Sequence, residues 1–334
     1  MSFQLKIWDH CRYVENREKP YGEMARHLAI MAEAGISASI IYMPEVISLD
    51  DYCRAAEQAG IAVEARISPA WGVKDPVCRT LPEKKLIEME ERFGIRLARI
   101  CGNHPRNRAE FLAAAETLAD RFAGRIEAIH LDFILNDNAL LLMDYPCQCD
   151  ACRALYQRYF NCDVPTRAML REPAVQYKIL ALRNDNIRQT VTAMRALTSR
   201  HGLNLTMAAR ANYLNSRDIT APPVWGLGPA VLEGQDWVDW NDQGLLDAVC
   251  TMNYHTDPDF FQSLLSDHVR LVGEHRDTLW SGIGISSSMG DLSPDGTAQR
   301  LEMVRAAGLP GAVFFNKTNC YSDDFLAVFR QFAR

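Results

Sequence analysis

Short apolar runs alternate with amphipathic stretches along the whole chain. The runs have the length of buried strands and read FQLKIW, SASIIYM, IAVEARIS, AIHLDFI, LNLTMAARA, LDAVCTMNY, TLWSGIGIS and GAVFFNK. Between them lie segments with helical spacing of apolar positions, such as YGEMARHLAIMAEAG, whose last glycine suits a helix C-cap. The pattern therefore predicts eight strands that alternate with helices.

Strands that alternate with helices predict a parallel sheet. Eight strands with no linker or break in composition favour a closed barrel over an open sheet, and the first strand is not followed by the G-x-G-x-x-G pattern of dinucleotide-binding folds. We therefore expect residues 1–334 to form one α/β domain, a (β/α)₈ TIM barrel, with a cysteine-rich insertion after the fourth strand.

Barrel enzymes keep their sites at the carboxyl ends of the strands, and the residues there are strongly polar in this chain. The candidates in chain order are Asp9, His10, Glu45, Arg66, Trp71, Asn103, His104, Asp132, Asn136, Asp137, Arg210, Asn212, Tyr254, His255, Asp257, Ser287, Asn316 and Lys317. Carboxylates, guanidinium groups, amides and aromatic rings together suit a hydroxyl-rich ligand such as a sugar. We expect substrate contacts from Asp9, His10, Glu45, Arg66, Trp71, Asn212, His255 and Asn316.

The charge balance narrows the choice of partner. The chain has 36 basic and 42 acidic residues, a net charge of −6, and no basic stripe, which argues against a nucleic-acid surface. The N-terminal residues do not resemble a signal peptide, and no apolar run reaches the ~18 residues of a membrane span. We expect a cytoplasmic protein with a small-molecule carbohydrate partner and no membrane partner. The sequence leaves open whether the chain forms a homo-oligomer.

Three of the ten cysteines form a C-x-C-x-x-C pattern, Cys147, Cys149 and Cys152. Closely spaced thiolates are ligands that Zn²⁺ prefers, and a structural zinc site is closed by four ligands. The natural fourth ligand is Cys101, at the end of the extended piece LARICG. Cys162 and Cys78 are alternatives. A redox pair and a set of unliganded thiols are the other interpretations of the pattern.

Two segments resemble glycoside hydrolase barrels. The stretch from CGNHPRNRAEFLAAAETLADRF through AIHLDFI to YPCQCDACRALYQRYFNCDVP is similar to the central part of family 42 β-galactosidases and of related glycosyl-hydrolase-like barrels. The stretch GQDWVDWNDQGLLDAVCTMNYHTDPDFF resembles the sixth-strand region of the latter group. The resemblance covers roughly residues 95–330 and implies a structural zinc held by Cys101, Cys147, Cys149 and Cys152.

The fourth strand departs from the family 42 pattern. Those enzymes end this strand with N-E, whose glutamate is the acid/base, whereas this chain reads LDFI, with Ile134 near the glutamate's position. Asp132 is the acidic residue that remains, and it resembles the strand-four nucleophile of amylase-type barrels. The resemblance therefore implies a glycosidase in which Asp132 is the nucleophile or the stabiliser of the transition state.

Glycoside hydrolysis needs a second carboxyl group beside the first. Asp257 follows the sixth strand and is the first choice as general acid; Glu45 is another candidate. Glu64 and Arg66 alternate on one face of the third strand, so both can point into the barrel. Glu64 is a further candidate for the partner carboxyl group, but the preferred interpretation is that it forms a buried ion pair with Arg66.

Further residues at the strand ends can assist this chemistry. We expect Arg210 to lie across from Asp132 and to favour its charged form, and Tyr254 to hydrogen-bond the nucleophile or the substrate. The rings of Trp8, Trp71 and Trp237 are candidates for stacking on sugars.

Three classes of function fit these residues. The first is a glycoside hydrolase-like enzyme. The second is a carbohydrate-binding barrel without catalysis, which the absent N-E pair would explain. The third is another sugar-processing barrel enzyme, an isomerase or an aldolase, for which Lys317 at the end of the eighth strand is the candidate Schiff-base lysine.

Overall fold

The strands of the computed structural model form a closed barrel. The model describes residues 3–9, 21–42, 49–69, 71–78, 100–135, 146–213, 230–317 and 321–333. The strands are β1 Gln4–Asp9, β2 Ile36–Tyr42, β3 Ala62–Ile67, β4 Ala128–Leu131, β5 Asn204–Ala209, β6 Ala248–Thr251, β7 Leu279–Ser287, β8 Gly290–Asp291 and β9 Gly311–Asn316. Strands β1 to β7 pair in sequence order, and β9 lies between β7 and β1.

All eight barrel strands run parallel, which confirms the predicted (β/α)₈ TIM barrel. The short strand β8 is an antiparallel extension of β7 outside the barrel. The piece LARICG contributes one antiparallel bridge, between Ile100 and Cys78, and no barrel strand among the described residues.

Helices lie between consecutive barrel strands. They are α1 Tyr21–Glu33, α2 Leu49–Ala59, α3 Pro105–Phe122, α4 Asp150–Phe160, α5 Pro173–Arg200, α6 Trp237–Asp242, α7 Pro258–Val272, α8 Pro294–Ala306 and α9 Asp323–Phe332, with short 3₁₀ turns at Met169–Arg171 and Arg276–Thr278. Four of them begin with proline, whose fixed φ suits the first helical position.

The barrel has two apolar layers. The larger fills the space between the strands and the helices and includes Leu28, Phe111 and Phe314. The smaller lies inside the barrel and includes Trp8, Ile40, Ala208, Cys250, Trp280 and Val313. Side chains along a strand alternate between these two layers, so every second residue faces the barrel interior. The last interior-facing residue of a strand lies at the carboxyl end of the barrel.

Four predicted site residues lie outside the described residues: His10, Glu45, Asn136 and Asp137. Among the helices that are described, none is long and apolar enough to cross a membrane.

Candidate functional site

A cavity of about 210 Å³ opens at the carboxyl ends of the barrel strands. Its described lining combines charged and aromatic side chains from most of the strands. The lining residues are Trp8, Arg66, Asp132, Phe133, Leu135, Ala208, Arg210, Met252, Tyr254, Ser288, Phe315 and Lys317. We call this cavity the mouth. It is the place at which a TIM barrel carries its site.

Asp132 and Arg66 form an ion pair at the mouth. Asp132 follows β4 directly, and its backbone N–H donates to the carbonyl of Ile67 at the end of β3 (2.9 Å). This contact places its side chain beside Arg66, whose Nε and one terminal nitrogen each lie 2.5 Å from Asp132 Oδ2. Both side chains are buried, with 7% and 8% exposure, so neighbouring strands fix the orientation of the carboxylate.

The backbone turns sharply after Asp132. Phe133 has φ +52°, a left-handed conformation that is costly for an aromatic residue, and its N–H donates to Asp132 Oδ1 (2.8 Å). The turn leaves the ring of Phe133 42% exposed in the mouth, with the Arg66 guanidinium 6.0 Å from the ring centre. The sequence analysis did not identify Phe133, because a strand-end LDFI gives no sign of a positive φ.

Tyr254 supplies a phenol next to this ion pair. Burial is the main cause that raises its pKa well above the ordinary value, and the negative charge of Asp132 raises it further. Tyr254 therefore remains a hydrogen-bond donor at neutral pH. Its ring stacks on Phe315 (5.0 Å between centres) and meets the edge of Trp8 (5.9 Å), so three aromatic rings form one wall of the mouth.

Arg210 lines the mouth but has a carboxylate partner of its own. Its Nε lies 2.7 Å from Glu233 Oε2, and its backbone N–H donates to Gln235 Oε1 (2.6 Å). Arg210 and Asp132 line the same cavity, and the expected influence of Arg210 on the charge of Asp132 stays a prediction. The guanidinium in contact with the Asp132 carboxylate is that of Arg66, which the sequence did not indicate. Glu233 was not foreseen either, because no strand or helix pattern marks its position in the sequence.

Beneath the mouth lies a buried polar chain, which we call the centre network: Lys6, Glu64, His130 and Thr206. Glu64 accepts from Lys6 Nζ and from Thr206 Oγ1, each at 2.6 Å, and Thr206 Oγ1 lies 2.8 Å from His130 Nδ1. The sequence suggested a buried ion pair between Glu64 and Arg66. Glu64 does lie in a buried ion pair, but its partner is Lys6, since Arg66 contacts Asp132 instead.

The centre network supports the floor of the mouth. The indole N–H of Trp8 donates to His130 Nε2 (3.2 Å). An indole nitrogen only donates, so Nε2 of His130 accepts and the proton of the neutral ring lies on Nδ1. His130 thereby connects the buried charge pair to a ring that lines the mouth.

The glycines of β7 give these rings their space. A Cβ on Gly282 would lie 2.4 Å from the carbonyl oxygen of Thr251 and 3.1 Å from atoms of Trp8 and Tyr254, and a Cβ on Gly284 would lie 2.8 Å from Tyr254. Real Cβ atoms essentially never come within 3.0 Å of such atoms, and a contact at 3.1 Å would require the neighbouring ring to move. The SGIGIS pattern therefore keeps one side of the barrel interior free for Trp8 and Tyr254.

Other predicted site residues lie away from the described lining of the mouth. Asp9 is buried and accepts from the hydroxyl of Tyr52 (2.7 Å). Asp257 caps α7, where it accepts from the N–H of Phe260 (2.8 Å). The ring of His255 packs on Phe260 at 3.9 Å.

The remaining candidates are not among the described lining residues of the mouth. Trp71 packs against the outer apolar layer, Trp237 is buried against Tyr213 and His268, Ser287 binds the N–H of Met289, and Asn212 and Asn316 are buried at the ends of β5 and β9. Asn103 and His104 belong to a different part of the molecule, the cysteine cluster.

Four cysteine side chains converge beside α4. The sulfurs of Cys101, Cys147, Cys149 and Cys152 all lie within 4.8 Å of one another. Cys101 Sγ is 3.6 Å from Cys152, 3.8 Å from Cys147 and 3.5 Å from Cys149. The four residues could hold a metal ion, and Cys101 rather than Cys162 or Cys78 is the cysteine that completes the group.

The distances fit a tetrahedral thiolate site. Four sulfurs at 2.3 Å from a zinc ion lie about 3.8 Å from each other. The Asn103 amide donates to Cys152 Sγ (3.4 Å), and His104 Nε2 lies 3.2 Å from Asp150 at the start of α4. A hydrogen-bonded sulfur of this kind is common around structural metal sites.

The thiols hold each other in unequal protonation states. A hydrogen bond from Cys152 lowers the pKa of Cys149 to about 7. The pKa of Cys101 is raised, and the main cause is the hydrogen bond between Cys101 and Cys147. Four sulfurs this close do not all ionise unless a cation balances them. A divalent metal would supply that balance.

Comparisons with known proteins support the fold. No protein-family model and no curated protein matches the chain. The PgaB (BpsB) glycoside hydrolase domain from Bordetella bronchiseptica aligns over 97% of this chain and 94% of its own, with a TM-score of 0.63 and 14% identity. The β-amylase catalytic domain from Paenibacillus polymyxa aligns over 99% and 97% (TM-score 0.59, 11% identity), and a chitinase from Chromobacterium violaceum over 99% of both chains (0.54, 11%).

The neighbours share one architecture with this chain. All three are glycoside hydrolase barrels, which supports the predicted resemblance at the level of the fold. The narrower resemblance to family 42 finds no match among them. At these identities the likeness extends to the barrel and not to particular site residues.

Proposed function

We propose that this chain is a glycoside hydrolase-like enzyme whose site is the mouth of the barrel. The observation that carries the proposal is the Asp132–Arg66 ion pair. It holds an oriented carboxylate in a cavity that is also lined by the Tyr254 phenol and by the rings of Trp8, Phe133 and Phe315. Carbohydrate sites combine such rings with a few fixed polar groups. The glycoside hydrolase barrels with the same architecture give the proposal its reaction class.

Asp132 acts as nucleophile or as stabiliser of the positive charge that develops on the sugar ring. An ionised carboxylate only accepts hydrogen bonds and carries the charge that an oxocarbenium-like transition state needs. Arg66 orients it, and Tyr254 donates a hydrogen bond to the carboxylate or to the sugar. Phe133, Trp8 and Phe315 offer apolar faces to the ring.

The general acid is the second half of the proposal. Within the described lining of the mouth, Asp132 is the one carboxylate. Glu64 is sealed in the centre network, and Glu233 is paired with Arg210. The two candidates for the proton donor are Asp257, which would have to leave its helix cap, and Glu45, which the sequence places after β2.

Substitution of these three carboxylates tests the roles. We expect Asp132→Asn to lose roughly 10³-fold or more in turnover on aryl glycosides and on oligosaccharides alike, while the sugar still binds. The variant that lacks the general acid, Glu45→Gln or Asp257→Asn, loses turnover on oligosaccharides but retains it on dinitrophenyl glycosides, whose leaving group needs no proton.

The matched control is Asp75→Asn, which changes an exposed carboxylate that pairs with Arg106 and is not among the described lining residues of the mouth. Turnover by Asp132→Asn equal to that of the control would exclude Asp132 from the reaction. Sugar binding by the wild-type protein with no turnover on any substrate of the panel would instead identify the second candidate, a non-catalytic carbohydrate-binding barrel. The single carboxylate in the described lining is the observation that favours this candidate.

The cysteine cluster is proposed as a structural zinc site. Four thiolates close the coordination shell, so the ion would join α4 to the segment before α3 and take no part in the reaction. We expect about one zinc per chain in protein purified without chelators or a histidine tag. Cys149→Ser should lose the zinc and melt at a lower temperature, whereas Cys162→Ser should keep the zinc and the melting temperature of the wild type. A metal-free wild type with titratable thiols at these positions would contradict the proposal.

A further inference from the structure

The side chains around the mouth carry a surplus of positive charge. Within the described part of the chain, Arg66, Arg210 and Lys317 line the cavity, and Asp132 is the one acidic residue among the lining side chains. We propose that the mouth binds a sugar with an anionic oxygen group, a carboxylate or a phosphate, in preference to a neutral or cationic sugar. The inference rests on the proposed function in taking the mouth as a carbohydrate site.

Among the three cations that line the mouth, Lys317 is the one with no ion-pair partner in the described part of the chain. Lys317 follows the last residue of β9, and its backbone N–H donates to the carbonyl of Ser286 in β7 (3.1 Å). Its side chain is exposed and forms no ion pair with any described residue. The ammonium group is therefore free to accept an anionic ligand. No existing ion pair has to be broken.

The two arginines add to the same field. Arg66 shares its charge with Asp132 inside the mouth, but Glu233, the counterion of Arg210, is 3% exposed and does not line the cavity. A ligand in the mouth thus meets the guanidinium of Arg210 directly and its counterion only from behind. A planar guanidinium matches carboxylate and phosphate oxygens.

The surplus of positive charge belongs to the described lining of the mouth and does not reflect the composition of the chain. The chain as a whole has a net charge of −6, so a positive mouth is a local arrangement and not an average of the sequence. The walls between the charges are the apolar side chains of Trp8, Phe133, Met252 and Phe315. Low-dielectric walls focus the field of a charged cleft and strengthen its interaction with an ion of opposite sign.

The test is a calorimetric titration of the full chain with matched methyl glycosides. Each set keeps one sugar frame (glucose, galactose or mannose) and changes the charge: the uronide, the 6-phosphate, the neutral sugar and the amino sugar. In at least one frame we expect an anionic member to bind about tenfold tighter than the neutral one at low salt, with the advantage reduced at high salt. The uronide and phosphate arms identify which anionic group the mouth takes.

Two variants at the exposed lysine localise the effect. Lys317→Gln should reduce the ratio of anionic to neutral affinity several-fold, and Lys317→Arg should retain that ratio. Equal or tighter binding of the neutral or amino sugar in every frame would overturn the inference, as would an absence of binding by all members or a full preference in Lys317→Gln.

Turnover of the same frames separates this inference from the proposed function. Hydrolysis of neutral glycosides with no advantage for uronides or phosphates would support the enzyme and overturn the anionic preference. An anionic preference in binding, with no hydrolysis of any glycoside, would overturn the enzyme and leave the inference in place.

Discussion

Glu64 and Arg66 lie two residues apart on the same strand and belong to different regions of the barrel. Glu64 is in the centre network, is 1% exposed, and is bonded to Lys6 and Thr206. Arg66 is one layer higher, where its partner Asp132 also faces the open mouth. One pair is sealed by protein on all sides, whereas the other can meet a ligand.

The comparison shows how one strand serves stability and chemistry at once. At the centre every polar atom must find a protein partner, since an unsatisfied group there bears the full cost of leaving water. At the mouth a ligand or water can supply the missing partner. The same kind of ion pair is therefore structural in one layer and available for a reaction in the next.

The largest effect expected from this difference is on stability at the centre. Glu64→Gln leaves the Lys6 ammonium buried without its counterion, and we expect the free energy of unfolding to fall by about 3–5 kcal/mol, as for other broken buried pairs. Urea denaturation measures the loss. The double variant Lys6→Met/Glu64→Gln should recover part of it, and a double variant less stable than Glu64→Gln would contradict the account.

The pH dependence of stability sharpens the same point. Burial raises the pKa of Glu64, but the charges of Lys6 and His130 and their hydrogen bonds together outweigh burial and hold that pKa far below its ordinary 4.5. Burial likewise lowers the pKa of Lys6, but negative groups, Glu64 first among them, outweigh it and raise that pKa above 10.5. A lowered acid pKa stabilises the fold above pH 4.5 and loses that effect as the pH falls. A raised lysine pKa stabilises it below pH 10.5 and loses that effect as the pH rises.

The stability difference between wild type and Glu64→Gln isolates this pair from the other titrating groups. We expect the difference to be largest between pH 4.5 and 10.5 and to shrink on both sides, by at most ~1.4 kcal/mol per pH unit for one proton. Unfolding curves across the pH range measure it. A difference that stays constant from acid to alkaline pH would show that the pair does not govern the effect.

The smallest stability effect is expected at the mouth. Arg66→Gln keeps a donor beside Asp132 and leaves the carboxylate within reach of water, so we expect a loss of about 1 kcal/mol together with a marked loss of turnover. Arg106→Gln, in an exposed ion pair with Asp75 and Glu110, is the matched control and should change neither. A loss as large as that of Glu64→Gln would erase the distinction between centre and mouth.

The sequence predicts the fold better than the contacts within it. Periodicity locates all eight strands, because alternation of apolar and polar positions is a property of each strand alone. The partner of Glu64 is not visible in this way, since Lys6 meets it across the interior only after the barrel closes. Likewise, Arg66 and not Arg210 contacts Asp132 because of the register of β3 against β4, which no local pattern encodes.

The cysteine cluster and the turn at Phe133 show the two extremes. The spacing of three cysteines, with Cys101 as the preferred fourth, predicted a group that the structure brings together. The exposed ring of Phe133 depends on one backbone torsion of +52°, which the neighbouring residues do not indicate.

Gly282 and Gly284 have a consequence for how the site can vary. A single added methyl group on either residue would occupy space that now belongs to Trp8 or Tyr254. Such a change would leave every charge and every proton donor of the mouth in the sequence, yet it would alter the shape that holds them. A related protein can therefore keep the shape of this site only if it keeps small residues at these two positions, which carry no functional group. A search that compares only chemically active residues would not detect their replacement.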